Sequence, residues 1–111
     1  MKNILSTLIT ALKNNKKILM CGNGGSSAMA SHFSAELIGR FRSHRSALAA
    51  LSLNDNTSVL TAIGNDFGFE YIFSRQIEAL GQKGDVLKIL STSGKSENCI
   101  KAGKTAKEKG R

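Results

Sequence analysis

An apolar run that stops at a glycine-rich turn and leads into a helical pattern constrains the fold more than any other feature of this sequence. The run 18–20 (ILM) gives way to CGNGG at 21–25, and the small hydroxyl residues Ser26 and Ser27 then open a helix-forming segment. A strand, a tight loop and a helix in this order aim backbone N–H groups and the positive end of the helix at one point. The sequence therefore predicts an anion-binding loop at the end of a buried strand.

The same alternation continues along the chain, with glycines as punctuation because the sequence contains no proline. Apolar runs predict strands, and helical patterns follow each of them: strands at 16–20, 47–53 and 85–90, helices at 26–41, 57–80 and 97–109. The third helix pattern has Ser96 as its N-cap. Strands that alternate with helices favour a parallel sheet covered on both faces. We therefore expect an α/β fold in which residues 1–111 form a single domain.

The N-terminal segment reads as an amphipathic helix. Its apolar residues follow helical spacing: Ile4, Leu5, Leu8, Ile9 and Leu12. A polar run at 13–17 occupies the place where a secretory leader would carry small residues for cleavage. No apolar run approaches the roughly 20 residues that a membrane span requires. We therefore expect a cytoplasmic protein with no membrane partner.

The net charge of +8 raises the question of a nucleic-acid partner. Half of this net charge comes from the segment 95–111, which contains six basic and two acidic residues. Lys101, Lys104 and Lys107 recur at a spacing typical of a solvated helix face, and the sequence has no Trp and one Tyr for base stacking. We therefore expect no nucleic-acid partner. Cys21 and Cys99 form no CxxC pair, which predicts two reduced, partly buried thiols.

A second loop rich in hydroxyl groups follows the third predicted strand. It carries Ser91, Thr92, Ser93 and Ser96. Ligands of open parallel sheets bind beyond the carboxyl ends of the strands, so this loop and the glycine turn at 22–27 can face one pocket. Hydroxyls and helix-start N–H groups together suit a phosphate monoester, although each loop taken alone is equally typical of an ordinary turn. Neither loop matches the nucleotide-binding patterns GxxxxGK[ST] or GxGxxG.

His32 and Glu36 stand four residues apart, on one face of the predicted helix. The pair is compatible with two ligands of a divalent metal, with a base and its orienting partner, or with a simple surface hydrogen bond. A catalytic zinc site usually takes three protein ligands, and this spacing supplies two. Farther on, Asp66 lies between two glycines in the segment 64–68, which predicts a turn.

Three segments together resemble the sugar isomerase (SIS) domain family, and within it the phosphoheptose isomerases: CGNGGSSAMASHFSAELIGRF, TAIGNDFGFEYIFSRQIEALG and GDVLKILSTSGKSEN. The resemblance covers nearly all 111 residues in order. It implies a flavodoxin-like α/β sandwich that forms homotetramers with active sites between subunits. It also implies conversion of sedoheptulose 7-phosphate to D-glycero-D-manno-heptose 7-phosphate, the first step toward activated heptose for lipopolysaccharide or capsule.

The resemblance also implies roles for individual residues. Asn23, Gly24 and Gly25 would contact the sugar phosphate, and Asn65 and Asp66 its hydroxyls. The second loop would hold the phosphate through Ser91, Thr92, Ser93 and Ser96. His32 and Glu36 match two ligands of one Zn²⁺ per subunit, and Glu36 also matches the general base and a substrate contact.

The sequence departs from the family at several points. The family chain is longer, and a glutamine and a histidine of its later part, which complete the metal shell and supply the acid, have no counterpart here; His44 lies in a connection. The resemblance thus implies a chain truncated after 111 residues, without the C-terminal strands. Lys88 and Ile89 stand where the family usually has an apolar residue followed by glycine, and Lys95 stands where it usually has Asn. A non-catalytic sugar-phosphate-binding or assembly module, similar to a replication-initiation regulator, and an inactive fragment therefore remain alternatives.

Overall fold

The computed structural model describes residues 4–39, 47–91 and 96–109. Helices and strands alternate along the chain as expected: α1 Ile4–Lys13, β1 Ile18–Gly22, α2 Gly25–Ile38, β2 Ala50–Ser52, α3 Thr57–Asp66, α4 Ser74–Leu80, β3 Val86–Leu90 and α5 Glu97–Glu108. A 3₁₀ turn over Phe69–Tyr71 separates α3 from α4. The predicted α/β class is confirmed.

The three described strands form one parallel sheet in the order β2-β1-β3. The central strand β1 begins two residues later than the sequence predicts and extends to Gly22, which lies in register with Leu90. The shift arises because Lys17 is held by Asp85 ahead of the strand, whereas Cys21 is fully buried and continues the apolar run. β2 is shorter than the predicted strand at 47–53 and keeps only three residues.

Alternate residues of β1 face opposite layers, as the two-residue period of a strand requires. Leu19 and Cys21 pack with Phe73, Ile77 and Ala102 of the layer formed by α4, α5 and the residues before α4. Ile18 and Met20 contribute instead to a second core under α1 and α2. The other members of this core are Ala30, Ala50, Leu8, Leu12, Phe33, Leu37 and Leu90. The sheet is thus covered on both faces, as predicted.

The segment 57–80 breaks later than expected. The Asn56 side chain caps α3 by accepting a hydrogen bond from the Val59 N–H at 3.0 Å, and the helix then continues through Asp66. The prediction of a turn across 64–68 is therefore wrong for residues 64–66. The break falls at Gly68, whose φ of 119° is a conformation that side-chain-bearing residues rarely adopt.

Lys88 lies on the outer strand of the described sheet, where all five residues of β3 are partly exposed. A lysine in a fully buried central strand would carry a large desolvation cost, and this half-exposed position reduces it.

Ser96 occupies the N-cap position of α5 as predicted, although its side chain makes no capping hydrogen bond. On α5, Lys104 and Lys107 are exposed as expected for a solvated face.

An ion pair between partly exposed Lys17 and buried Asp85 joins the amino ends of β1 and β3. The Asp85 carboxylate, which is 5% exposed, accepts hydrogen bonds from Lys17 N at 3.0 Å, Lys17 Nζ at 2.7 Å and Gln82 N at 2.8 Å. Burial alone raises the pKa of Asp85, but the hydrogen bonds and charge of Lys17, helped by Gln82, lower it on balance.

Within the described ranges, no helix combines the length and apolar character needed to cross a membrane.

Candidate active site

The loop between β1 and α2 passes through a narrow gap at the carboxyl edge of the sheet. A Cβ on Gly22 would stand 2.7 Å from the Leu90 carbonyl oxygen and 2.7 Å from Ser26 Cβ, so glycine alone fits there. Gly24 has a φ of 58°, which also favours glycine. Sequence and geometry therefore agree on why this loop is rich in glycine.

The start of α2 presents backbone donors toward solvent. Ser26 N and Ser27 N donate to the carbonyls of Asn23 and Gly24, each at 3.0 Å, and close the first turn. Within the described part of the chain, no acceptor lies against the N–H groups of Gly24 and Gly25, both exposed. These two donors stand at the positive end of a 14-residue helix, which is a favourable place for an anion.

Asn54 holds this loop from the side of β2. Its Oδ1 accepts from Gly22 N at 3.0 Å, and its Nδ2 donates to Gly22 O at 2.8 Å. The side-chain amide thus pairs with both backbone groups of Gly22, where β2 has already ended. The carboxyl end of β1 is fixed by this pairing.

Asn98 holds the same loop from the side of α5. Asn23 Nδ2 donates to Asn98 Oδ1 and Asn98 Nδ2 donates to Asn23 Oδ1, both at 3.0 Å. Asn98 lies in the first turn of α5, two residues after Ser96, and its side chain is almost completely buried. The glycine turn and the end of the second loop are therefore brought together, as the parallel sheet predicts.

Three of the candidate residues line one cavity of about 440 Å³: Asn23, Gly24 and Asn65. Its polar lining also includes Ser27, Asn54 and Thr61. Asp66 is exposed beside it and accepts a hydrogen bond from Asn65 Nδ2 at 3.0 Å. Thr92, Ser93 and Lys95 lie outside the described residues, whereas Ser91 is exposed and Ser96 half-buried at the two ends of that loop. The cavity offers amide, hydroxyl and backbone groups to a polyhydroxylated ligand, beside the apolar side chains of Leu60, Phe69 and Ile72.

His32 and Glu36 lie on one face of α2, as their spacing predicts. His32 Nε2 and Glu36 Oε2 stand 2.9 Å apart, with side-chain exposures of 69% and 25%. An imidazole nitrogen and a carboxylate oxygen are ligand atoms that zinc takes, so the pair fits as two members of a metal shell. No group of three His, Cys, Asp or Glu residues that could hold a metal occurs in the ranges the structure describes.

The pair is distant from the glycine turn in the same chain. With a rise of 1.5 Å per residue, His32 and Glu36 lie about 10 and 16 Å along the axis of α2 from Gly25. Neither lines the cavity of about 440 Å³. The structure thus brings Asn23, Gly24 and Asn65 together around one cavity, and it places the candidate metal ligands elsewhere on α2.

Both cysteines are buried free thiols beneath the glycine turn. Burial first, and then the neighbouring Cys99, raise the pKa of Cys21 to about 12, and burial also raises the pKa of Cys99. Thiols in this state stay protonated and are poor nucleophiles. The expectation of reduced thiols holds, with both more deeply buried than predicted.

Asn54, Thr61 and Asn98 were not singled out by the sequence reasoning. Asn54 could have been predicted, because it immediately follows a predicted strand and ligands bind at the carboxyl ends of parallel strands. Asn98 and Thr61 offer no such signal, because each lies within a helical pattern and only the packing of α5 and α3 brings them to the site.

This arrangement can now be compared with known proteins. A profile described as the SIS domain matches residues 1–111. The chain belongs to the SIS-domain family. Its sequence is 60% identical over 102 residues to a protein of Nitratiruptor sp. named phosphoheptose isomerase, covering 92% of this SIS domain and 54% of that protein. It is 54% identical over 110 residues to the phosphoheptose isomerase of Helicobacter pylori, covering 99% of this chain and 57% of that protein.

Solved structures agree with the fold of this SIS domain. It superposes on the phosphoheptose isomerase of Neisseria gonorrhoeae with a TM-score of 0.87 at 52% identity, covering 94% of this chain and 53% of that one. It also superposes on a phosphoheptose isomerase from Francisella tularensis with a TM-score of 0.90 at 38% identity, covering 94% of this chain and 55% of that one. The chain spans about half the length of the relatives it matches. The flavodoxin-like α/β architecture is therefore that of the SIS domain.

Proposed function

We propose that this SIS domain carries the sugar-phosphate site of an aldose–ketose isomerase that converts sedoheptulose 7-phosphate to D-glycero-D-manno-heptose 7-phosphate. The observation that carries the proposal is the Asn23–Asn98 amide pair, which joins the glycine turn to the first turn of α5 at the carboxyl edge of the sheet. The glycine turn adjoins a cavity of about 440 Å³, whose lining combines polar side chains such as Asn54 and Asn65 with apolar ones such as Leu60 and Phe69. Relatives named phosphoheptose isomerase at 54% to 60% identity support the choice of substrate.

In this proposal the N–H groups of Gly24 and Gly25 bind the sugar phosphate at the positive end of α2. Asn65 and Asp66 bind sugar hydroxyls from the last turn of α3, where an amide and a carboxylate offer both donors and acceptors. The phosphate is held by hydroxyl groups of the second loop: Ser91, Thr92, Ser93 and Ser96.

Glu36 acts as the general base. Its carboxylate removes a proton from C1 of the open-chain ketose, which gives an enediol, and returns it to C2, while the hydroxyl proton on O1 passes to O2. The C2 carbonyl becomes a C–OH group and C1 becomes the aldehyde, so atoms balance. His32, at 2.9 Å from Glu36 Oε2, fixes the orientation of the carboxylate.

His32 and Glu36 would also hold a zinc ion as two of its ligands. When bound, zinc stabilises negative charge on the oxygen of the enediolate. The two ligand atoms lie close enough for one metal and are accessible on the surface of α2, which supports this role.

The geometry also supports a site shared between subunits of a homotetramer. Eight bonds separate C1 from phosphorus in the open-chain substrate, and at the span of consecutive Cα atoms, 3.8 Å for three bonds, they reach about 10 Å. Glu36 lies about 16 Å along α2 from Gly25 of the same chain. In this proposal one substrate bridges the glycine turn of one subunit and Glu36 of another, since the two lie far apart on one helix. Met29 and Ile38, each 51% exposed on α2, supply apolar surface for such contacts.

Within this proposal the reaction takes place in the cytoplasm and opens the synthesis of activated heptose for lipopolysaccharide or capsule. A seven-carbon sugar with its phosphate at the end remote from C1 is suited to later activation at C1. The family membership and the names of the relatives support a role in heptose phosphate metabolism.

The test is an assay of the chain with sedoheptulose 7-phosphate, with and without added zinc, following aldose formation. We expect saturable binding, zinc-dependent turnover, and loss of turnover in Glu36→Gln with binding retained. Binding without turnover at high protein concentration would favour a non-catalytic sugar-phosphate module, and absence of binding would overturn the proposal.

The shared site has its own test. Glu36→Gln chains and Ser93→Ala chains, each inactive, are mixed and allowed to exchange subunits. Recovery of turnover on mixing supports a site built from two subunits, because some sites then combine two intact halves. Mixed oligomers with no recovered turnover would contradict it.

A further inference from the structure

Asn98 lies in the first turn of α5, and its side chain pairs with that of Asn23 in the glycine turn. We infer that Asn98 is a positioning residue that fixes the β1–α2 loop, and that Asn23 serves substrate binding through the backbone it anchors, with its side-chain amide turned inward. The inference rests on the proposed function only for the identity of the ligand.

The amide of Asn23 is already occupied. Its Oδ1 accepts from Asn98 Nδ2 at 3.0 Å, and its Nδ2 donates to Asn98 Oδ1 at 3.0 Å and to Cys99 Sγ at 3.8 Å. A primary amide has two N–H donors and one carbonyl oxygen, and all three groups have partners in α5. A ligand in the adjoining cavity would have to break this pair to reach the amide, whereas the backbone donors of Gly24 and Gly25 face solvent.

Burial makes the pair a firm anchor. Asn98 is 1% exposed, so removing its amide would leave the polar groups of Asn23 facing a buried, unpaired space. Buried polar groups without partners are costly, and the loop would rearrange to bring the Asn23 amide to water. That movement would turn the N–H groups of residues 24 and 25 away from the position that the start of α2 sets for an anion.

The same pair links the glycine turn to the start of α5. Asn98 stands in the first turn of α5, and this helix begins directly after the hydroxyl-rich loop at 91–96. Asn54 fixes Gly22 independently, through two backbone hydrogen bonds of 3.0 and 2.8 Å. The role of Asn98 is therefore specific: it sets the orientation of residues 23–25 beyond the point that Asn54 holds.

The experiment compares Asn98→Ala, Asn23→Ala and the double variant with the unmodified chain. Asn98→Asp is included because it keeps the volume and loses the donor to Asn23 Oδ1. Asp85→Asn is the matched control, since it removes a buried polar network at the opposite end of the same strands. Two quantities are measured: hydrogen exchange of the amides 22–27, and the dissociation constant for sedoheptulose 7-phosphate by calorimetry.

We expect each single Asn variant to exchange the loop amides faster and to bind the sugar phosphate about tenfold more weakly, the loss typical of one buried polar pair. The double variant should bind within about twofold of either single variant, because both act through one pair. Asp85→Asn should lower the melting temperature while leaving loop exchange and binding unchanged.

Two results would overturn the inference. One is unchanged loop exchange in both Asn98→Ala and Asn98→Asp; the other is a double variant whose loss equals the product of the single losses, which would mean that Asn23 contacts the ligand directly. Hydrogen exchange needs no ligand, so it decides the inference even if the unmodified chain fails to bind sedoheptulose 7-phosphate. That failure would count against the proposed function alone.

Discussion

The Leu90 carbonyl oxygen stands 2.7 Å from where a Cβ on Gly22 would be. This close approach joins the carboxyl ends of β1 and β3, and it determines where the β1–α2 loop leaves the sheet. A side chain at this position would force apart the two strand ends that carry the candidate site.

Gly22→Ala is therefore expected to lower the free energy of unfolding by about 1–3 kcal/mol, the usual cost of overpacking, and to weaken sugar-phosphate binding. Urea unfolding and calorimetry provide the measurements. Gly103→Ala is the matched control, because a Cβ there would meet Ile89 Cδ1 at an ordinary 3.8 Å. That change should raise stability by about 0.5–1 kcal/mol in the middle of α5. Similar effects of the two substitutions would contradict the close packing described for Gly22.

His32→Ala is expected to weaken zinc binding by at least about tenfold, since even partners outside the first shell of metal ligands have effects of that size. Competition with a zinc-binding dye measures the affinity. Glu97→Gln is a suitable control, because Glu97 belongs to another i,i+4 pair on an exposed helix face, with Lys101 Nζ at 3.7 Å. Equal zinc affinity in the unmodified chain and His32→Ala would remove His32 from the metal site.

Asp85→Asn is expected to cost about 1.5–3 kcal/mol at pH 7, the range for hydrogen bonds to a charged group. The pKa of Asp85 is lower in the folded chain than its ordinary value of about 3.9, so its stabilising effect is complete above that value. The effect is lost as the pH falls through the folded-state pKa. Urea unfolding between pH 7 and pH 2.5 should show the difference from the unmodified chain shrinking toward low pH. A constant difference would rule out the carboxylate as its source, and exposed Glu78→Gln is the control.

Cys21 is expected to resist alkylation in the folded chain, because burial and the neighbouring Cys99 raise its pKa to about 12. Iodoacetamide at pH 8, followed by peptide mass spectrometry, should label it only after denaturation. Rapid labelling of Cys21 under native conditions, at the rate of the denatured chain, would show that the thiol is accessible and that β1 is not packed as described.

The sequence predicts the layers of this fold well because its strand and helix periods are distinct. The run before the glycine turn and the run at 85–90 both became strands of one parallel sheet, β1 and β3. Boundaries were less predictable where tertiary contacts decide them. β1 extends to Gly22 because Asn54 pairs with its backbone, and α3 continues past Gly64 because its helical hydrogen bonds persist up to Gly68.

In the candidate site, too, local features were predictable from the sequence and tertiary contacts were not. Asn23, Gly24 and Asn65 were identifiable from the sequence, through the strand-to-helix loop and the family resemblance, and the structure places them around one cavity. The inward-facing amide of Asn23 was not predictable, because its partner Asn98 lies 75 residues away and only the packing of α5 against β1 brings it near. The separation of Glu36 from the cavity at the glycine turn was likewise not predicted, because it depends on the length and direction of α2.

The most direct test of the central claim is a titration of ¹⁵N-labelled chain with sedoheptulose 7-phosphate, followed by two-dimensional NMR. The account predicts saturable shifts of the backbone N–H signals of Gly24 and Gly25 and of residues near Asn65 and Asn98, with the signals around Asp85 unchanged. Saturable shifts confined to the Asp85 end of the strands, or no shifts at millimolar ligand, would contradict a sugar-phosphate site at the carboxyl edge of the sheet.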